Sequence, residues 1–556
     1  MIEVGFNTGM GFMDVIFNKG RSTAGLETSP IFRKVYDEAL GSICYRFPGG
    51  THGNFYNRFN AGAGYNKILF TNVKSDETVY LNINTTLRDS IYKDYYGYSS
   101  DNNSSRSNVI YPFINTITEN KKFESKSTYV INVVNHYRNY SGFNTKKDLL
   151  DSYTKLDSVL KYSDLKSNGF SSNFIVCVDQ NLSGILTLIK NGVKISKIEL
   201  GNENMSYMAD GDDKQFVSSN YDTIIWNRTT NNTQKFALDI HAKLLAMYVR
   251  LIKELYSTNN IEMKDLKFGV PITSLFKNSG FKQWNDYWIN KSVADYVGFQ
   301  AYIIHTYASI TKDPTITDSD SSKLKYDFDV MNSKIENEHF KSWVQRDLKS
   351  QIETYIPWSE VWITEWDFGW LIPKIGNTLL GAICYFDELI SFMDIPQIKT
   401  CHYHAVLNSM DTNYVFTRFP AWHKTTYVDP ILSDNSTLDG IRYSSNYYAH
   451  LILSPLINKE MVLQSTEKSD LYYKKTYKDI NGGTWIYFSN KSGTEKTLSL
   501  TKDGITSYIS GDNLYDSCGK TTFKKEEIVT IKRNFNKNIG KSLIVPKYSI
   551  GCIYIS

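Results

Sequence analysis

The chain has no charge excess, no membrane-length apolar run, no cysteine pairs and no recognisable export segment, and each absence removes a class of function. Among 556 residues, 62 Lys and Arg face 58 Asp and Glu, for a formal net charge of +4. So even a balance implies no basic face, so nucleic acid is not an expected partner. No apolar stretch reaches the length needed to cross a bilayer, so no membrane is expected either. Met1-Ile2-Glu3-Val4-Gly5-Phe6 reads as a strand, without the basic, apolar and cleavage segments of a secretory signal. A cytoplasmic location is the default expectation, with a virion-associated or non-classically exported protein as the alternative. The six cysteines (Cys44, Cys177, Cys384, Cys401, Cys518 and Cys552) form no CxxC pair and sit mostly in apolar segments. They read as small buried hydrophobes in a reducing compartment. There is no Gly-rich phosphate loop, no Ser-His-Asp arrangement, no solenoid repeat and no low-complexity linker. No cofactor is expected.

What the chain does have is aromatic residues, 14% of the total including 40 Tyr, and a regular alternation of strand-like and helix-like segments. Aromatic rings suit sugar faces, although most serve as ordinary core. Short apolar strands are predicted at the N-terminus and at 42–47, 194–200, 266–272, 293–304, 361–366 and 398–405. Helical stripes are predicted at 149–160, 182–190, 236–255, 340–352, 379–393 and 447–453. The third strand is assigned to Phe174-Ile175-Val176-Cys177-Val178, with 129–134 as the alternative. This order predicts an α/β fold, a (β/α)8 barrel over residues 1–453, with a long insertion at about 52–126 that carries Tyr92, Tyr95, Tyr96 and Tyr98. From residue 454 the pattern changes to short alternating segments (471–476, 484–489, 496–500, 528–531, 549–555) separated by Gly, Asn and Asp turns. A C-terminal all-β sandwich over 454–556 is expected.

The chemistry concentrates at predicted strand ends. The fourth strand runs into Leu200-Gly201-Asn202-Glu203, and the seventh into Ile363-Thr364-Glu365-Trp366. Residues at the carboxyl ends of barrel strands face the active-site mouth. Strands four and seven lie on opposite sides of an eight-stranded barrel, so Glu203 and Glu365 can face each other. Two opposed carboxylates are what hydrolysis of a glycosidic bond requires, one to protonate the leaving oxygen and one to attack or to activate water. Arg46, ending the second strand, is a donor for Glu365, and Asn202 for a sugar hydroxyl. His402 and His404 share a face of the eighth strand. Without a third ligand at matching spacing they read as a sugar contact or as packing, and no metal is expected. Asp210, Asp212 and Asp213 read as a solvated turn and not as a calcium loop.

These segments resemble the acid/base and nucleophile motifs of clan GH-A glycoside hydrolases. Arg46-Phe47-Pro48-Gly49-Gly50-Thr51 is similar to the second-strand motif of the α-L-arabinofuranosidase and heparanase-like branches, which also carry a C-terminal sandwich. The resemblance implies a retaining mechanism, with Glu203 as acid/base and Glu365 as nucleophile. The family pattern on the sixth strand ends in His-x-Tyr. Tyr302 is the choice for the tyrosine that hydrogen-bonds the nucleophile, with His305 and Tyr307 as alternatives. Trp366 and His404 are further expected contacts at the mouth. The expected partner is a polysaccharide or glycoconjugate. A non-catalytic carbohydrate-binding or virion-associated structural protein, assembled into a larger particle, is the alternative.

Overall fold

The structure is a computed structural model, and it describes residues 2–7, 44–47, 67–71, 78–82, 126–133, 136, 139–140, 143–144, 149, 151–204, 231–273, 282–307, 348–367, 378–403, 445–469, 471–518 and 530–556. Eight parallel strands close into a barrel: β1 (Glu3–Asn7), β2 (Cys44–Phe47), β3 (Lys126–Val130), β4 (Lys194–Glu199), β5 (Lys267–Thr273), β6 (Ala301–Tyr307), β7 (Glu360–Asp367) and β8 (Ile398–Tyr403). Each pairs with its successor and β8 returns to β1, so the order round the barrel is the order in the chain. Parallel neighbours need long crossovers. The described helices that supply them are α1 (Ser172–Lys190), α2 (Asn231–Thr258), α3 (Lys282–Trp288), α4 (Lys291–Val297), α5 (Lys349–Tyr355) and α6 (Leu379–Met393), and α7 (Ser445–Asn458) follows β8. Among the described residues, no helix is long and apolar enough to cross a membrane.

Three expectations need correction. The run from Phe174 to Val178 is not the third strand but the first turns of α1, and β3 overlaps the alternative segment only at Tyr129 and Val130. Ser171 caps that helix by accepting a hydrogen bond from the Phe174 amide at 3.1 Å. Phe174, Cys177, Val178, Leu182, Ile185 and Leu188 then recur at helical spacing and are buried. A short apolar run does not distinguish strand from helix, and here the cap decides. Second, the stretch 293–304 splits into α4 and β6. The Asn290 side chain accepts from the Ser292 amide at the start of α4, and Gly298, at φ 85°, ends it in the left-handed conformation. Third, the stripe at 149–160 is mostly turns, with a 3-10 turn at Leu156–Ser158 and a short helix at Tyr162–Ser167. Most of the insertion at 52–126 lies outside the described residues.

The sandwich follows α7. Its larger antiparallel sheet runs in the order β9 (Met461–Lys468), β10 (Tyr472–Asp479), β11 (Thr484–Asn490), β16 (Ser549–Ile555), β13 (Gly504–Ser510), β14 (Lys532–Ile539). The smaller one pairs β12 (Lys496–Ser499) with β15 (Ser542–Val545). Of the strand expected at 528–531, the described residues Thr530 and Ile531 lie just before β14, which starts at Lys532. Phe488, Leu498, Leu543, Val545 and Ile553 fill the space between the sheets.

The sandwich is fastened to the barrel through α6. The amides of Leu379 and Leu380, which have no partner within their own helix turn, donate to the carbonyls of Asp516 and Leu514 at 2.7 and 3.2 Å. Deeper in the contact, Lys491 of the sandwich meets Asp387 of α6 at 2.9 Å, with both side chains buried. Removing one partner of a buried pair leaves the other charged and desolvated, which costs about 3–5 kcal/mol. Asp387→Ala is therefore expected to lower the unfolding free energy by about that amount in denaturant titration, whereas the double replacement Asp387→Leu with Lys491→Met recovers most of it. Equal stability of Asp387→Ala and wild type would contradict this.

Candidate active site

The barrel interior is built in layers, and the upper ones are charged. At the bottom, Trp362 points inward between Ala301 and Ile303. It fits because β5 has Gly269 beside it, where a Cβ would lie 2.8 Å from the indole ring. Lys197 of β4 meets Glu3 of β1 at 2.6 Å. Burial pushes the Glu3 carboxyl upward, but the Lys197 charge and hydrogen bonds outweigh it and hold the pKa at about 2. His402 lies at this level, 3.4 Å from the Thr400 hydroxyl, and burial drives its pKa down to about 3, so it is neutral.

The next layer is organised by Arg46, one residue before the end of β2, with its side chain fully buried. Its Nε and Nη2 donate to the two oxygens of Glu199 at 2.8 and 2.7 Å. Its Nη1 donates to Glu365 Oε1 at 2.5 Å, and Nη2 also donates to Asn202 Oδ1 at 2.7 Å. A guanidinium presents five donors in a fixed planar fork, so one side chain can hold three acceptor groups at once. Burial works against its charge, but Glu199 and Glu365 more than compensate and hold its pKa above the ordinary arginine value.

Glu203 reaches the site from a turn and not from the end of the strand. β4 stops at Glu199, and the chain turns through Gly201 at φ 108° to Glu203 at φ 43°. Gly201 has no room for a side chain, because a Cβ would lie 2.2 Å from the Asn204 amide. A left-handed non-glycine residue stores strain of order 1–3 kcal/mol, a feature that clusters at functional sites. Asn204 anchors the far side of the turn, donating to the Leu200 carbonyl at 2.9 Å and lying 3.2 Å from His241.

Glu365 depends on a different local device. In β7, Val361 and Ile363 face the helices, and Trp362 and Thr364 face inward. Strict alternation would then turn Glu365 outward. The pairing with β6 shifts by one residue between Ile303↔Trp362 and His305↔Glu365, and the pairing with β8 shifts over the same stretch. This β-bulge admits Glu365 to the interior and sends Trp366 out. Trp366, expected at the mouth from its place in the sequence, is therefore turned away from it. It packs against Tyr385, Phe392 and Tyr403 at ring-centroid distances of 5.2, 5.2 and 4.6 Å.

His305 bridges the two carboxylates. Its Nδ1 lies 2.8 Å from Glu203 Oε1 and 3.6 Å from Glu365 Oε2, and its Nε2 lies 3.2 Å from the Thr364 hydroxyl. Tyr302, the first choice for this position, is corrected by the same alternation. It is three residues before His305 and on the opposite face, and its hydroxyl donates to the Trp288 carbonyl at 2.9 Å in the layer of helices. The structure thus brings together Arg46, Asn202, Glu203, His305 and Glu365, and leaves Tyr302 and Trp366 outside the site. His404, Asp210, Asp212, Asp213 and the Tyr307 side chain lie outside the described residues. The structure adds Glu199 to this group, and its signal is in the sequence: Lys197 and Glu199 alternate with Ile198 and Leu200, which marks a strand with a charged inward face.

Glu203, His305 and Glu365 also present one ligand-type atom each, all within 4.8 Å of one another. Donor type and spacing would admit a divalent cation. Arg46 already serves Glu365, however, and His305, when protonated, serves both. Burial depresses the His305 pKa, but the Glu365 charge together with the charge and hydrogen bond of Glu203 outweighs it and raises the pKa above the ordinary value of 6.5.

No protein-family model and no curated protein sequence matches the chain. Among solved structures, its fold is similar to that of a GH51 arabinofuranosidase from Xanthomonas axonopodis pv. citri, with 11% identity and a TM-score of 0.50 over 95% of this chain and 89% of that one. The catalytic domain of the GH30 xylanase C from Talaromyces cellulolyticus gives 11% identity and a TM-score of 0.47, over 100% and 97%. A GH family 44 endoglucanase from Clostridium thermocellum gives 12% and 0.47, over 93% and 94%. At this level of identity the likeness is one of fold, a (β/α)8 barrel with an appended β-sandwich.

A histidine whose pKa is raised on folding stabilises the folded state fully below its unfolded value of about 6.5, and that contribution is lost as pH rises through the folded value. Titration of His305 followed by nitrogen-15 NMR is expected to show a midpoint above 6.5, and Glu203→Gln is expected to lower it. A midpoint at or below 6.5 in the wild type would contradict the bridging role.

Proposed function

We propose that the chain is a retaining glycoside hydrolase that cleaves a polysaccharide or glycoconjugate. The observation that carries this reading is the pairing of Glu203 and Glu365 at the barrel mouth, where one oxygen of each carboxylate lies within 4.8 Å of the other. Retaining enzymes hold their two carboxyl groups about 5–5.5 Å apart, and inverting ones about 6.5–9.5 Å, to admit a water. The close pair favours direct attack by one carboxylate.

In this mechanism Glu365 attacks the anomeric carbon while Glu203 donates a proton to the glycosidic oxygen, and the leaving sugar departs as an alcohol. The product is a glycosyl ester on Glu365. Glu203, now ionised, removes a proton from water, whose oxygen attacks the same carbon and releases Glu365. The environments of the two carboxyls differ as this division requires. Glu365 is almost fully buried against Arg46, a countercharge that supports a nucleophile, and Glu203 is part-exposed in its turn. His305 is suited to follow the cycle, since it faces whichever carboxylate is charged. Asn202, fixed by Arg46, is assigned to the sugar hydroxyl next to the carbon under attack.

The rival reading is a carbohydrate-binding or virion-associated structural protein on the same barrel. Such a protein has no need of a strained Glu203 or of a bulge that turns Glu365 inward, and both features favour the enzyme. A panel of aryl glycosides and polysaccharides tests the proposal. Glu365→Gln and Glu203→Gln are each expected to lose about 10²–10⁴-fold or more in turnover of a substrate the wild type accepts, while keeping its circular dichroism spectrum. Wild-type turnover by Glu365→Gln would overturn the assignment.

A further inference from the structure

We propose that Glu199 is a positioning residue for the reaction, acting through Arg46. The proposal rests on the hydrolase reading above. Glu199 is fully buried, and its two oxygens are engaged by Arg46 Nε and Nη2, so it is not placed to touch a substrate. Its effect is on the orientation of the guanidinium. A side-on, two-bonded pair fixes both the plane and the rotation of the fork. With Nε and one hydrogen of Nη2 committed to Glu199, Nη1 points at Glu365 and the remaining Nη2 hydrogen at Asn202. One buried carboxylate thereby sets the position of the proposed nucleophile and of the amide assigned to the sugar, from β4, the strand that also leads to Glu203.

Glu199 has a second effect through charge. Arg46 bears one positive charge and meets two carboxylates, Glu199 and Glu365. While Glu199 is ionised, the guanidinium is shared and Glu365 retains part of its negative charge for attack. Without Glu199, the whole countercharge falls on Glu365. A carboxylate so neutralised is a weaker nucleophile, and it stays ionised to lower pH.

The variants Glu199→Gln and Glu199→Asp separate these effects from simple loss of stability. Gln keeps the size but removes the charge and sets an amide against an arginine donor, and Asp keeps the charge on a shorter stem. Displacement of catalytic groups by about 1 Å can cost 10²-fold in rate. Glu199→Gln is therefore expected to lower kcat by about 10²-fold with KM changed less than about threefold, and to move the acid limb of the kcat/KM profile to lower pH. Glu199→Asp is expected to return that limb towards the wild-type position, with kcat between the two. A merely structural residue would lower Tm and leave the profile of the folded fraction where it was, and that result would overturn the proposal. Should the wild type cleave no glycoside, the hydrolase reading fails on its own account, and a crystal structure of Glu199→Gln decides the remainder. Arg46 displaced from Glu365 and Asn202 supports the positioning role, and Arg46 still hydrogen-bonded to both overturns it.

Discussion

Everything at the barrel mouth depends on one buried guanidinium. Taking Arg46 out of water costs several kcal/mol, and only close geometry with fully used donors repays that. Four hydrogen bonds of 2.5–2.8 Å to Glu199, Glu365 and Asn202 supply it. Those acceptors come from β4, the turn after it, and β7, so the cluster ties opposite sides of the barrel through its centre. A core of Leu and Val would hold the same strands as well. What it would not do is fix two carboxylates at one height above the barrel floor.

The surrounding fold serves that cluster by local departures from regularity. A parallel barrel delivers strand ends to one face but does not decide which side chains point inward. For Glu365 the bulge in β7 decides, and Trp366 takes the outward place against Tyr385, Phe392 and Tyr403. For Glu203 the turn through Gly201 decides, with Asn204 filling the space a side chain at 201 would need. Helix α6, which backs Trp366, is in turn held by the sandwich through its capped N-terminus and the Lys491–Asp387 pair. The C-terminal domain thus braces the wall that carries Glu365.

The sequence was most legible where residue chemistry was rare for its setting. A carboxylate and an amide after a β-branched run, an arginine ending a strand, and a second carboxylate in Val361-Trp362-Ile363-Thr364-Glu365 are costly to bury without purpose, and these residues do meet in space. It was least legible where the outcome depended on long-range pairing. Phe174 to Val178 has strand composition, yet Ser171 starts a helix there, and only the pairing of β2 with β4 through Lys126–Val130 assigns the third strand. Tyr302 and His305 could be told apart only by knowing that β6 starts at Ala301 and not at Val293. Period-two counting also fails across a bulge, which leaves no composition mark, so the sequence alone points Trp366 into the site. Glu199 is hidden for the opposite reason. It sits in regular alternation, but its neighbour Glu203 has the stronger motif.

The central claim is that Glu365, held by Arg46 and faced by Glu203, bonds covalently to the sugar. The most direct measurement is mass spectrometry of the protein after incubation with a panel of fluorine-substituted activated glycosides, which form the glycosyl ester quickly and hydrolyse it slowly. The account predicts a single added glycosyl mass on the peptide containing Glu365, absent from Glu365→Gln. An adduct on another residue, or none with any sugar that the enzyme is found to hydrolyse, would contradict it.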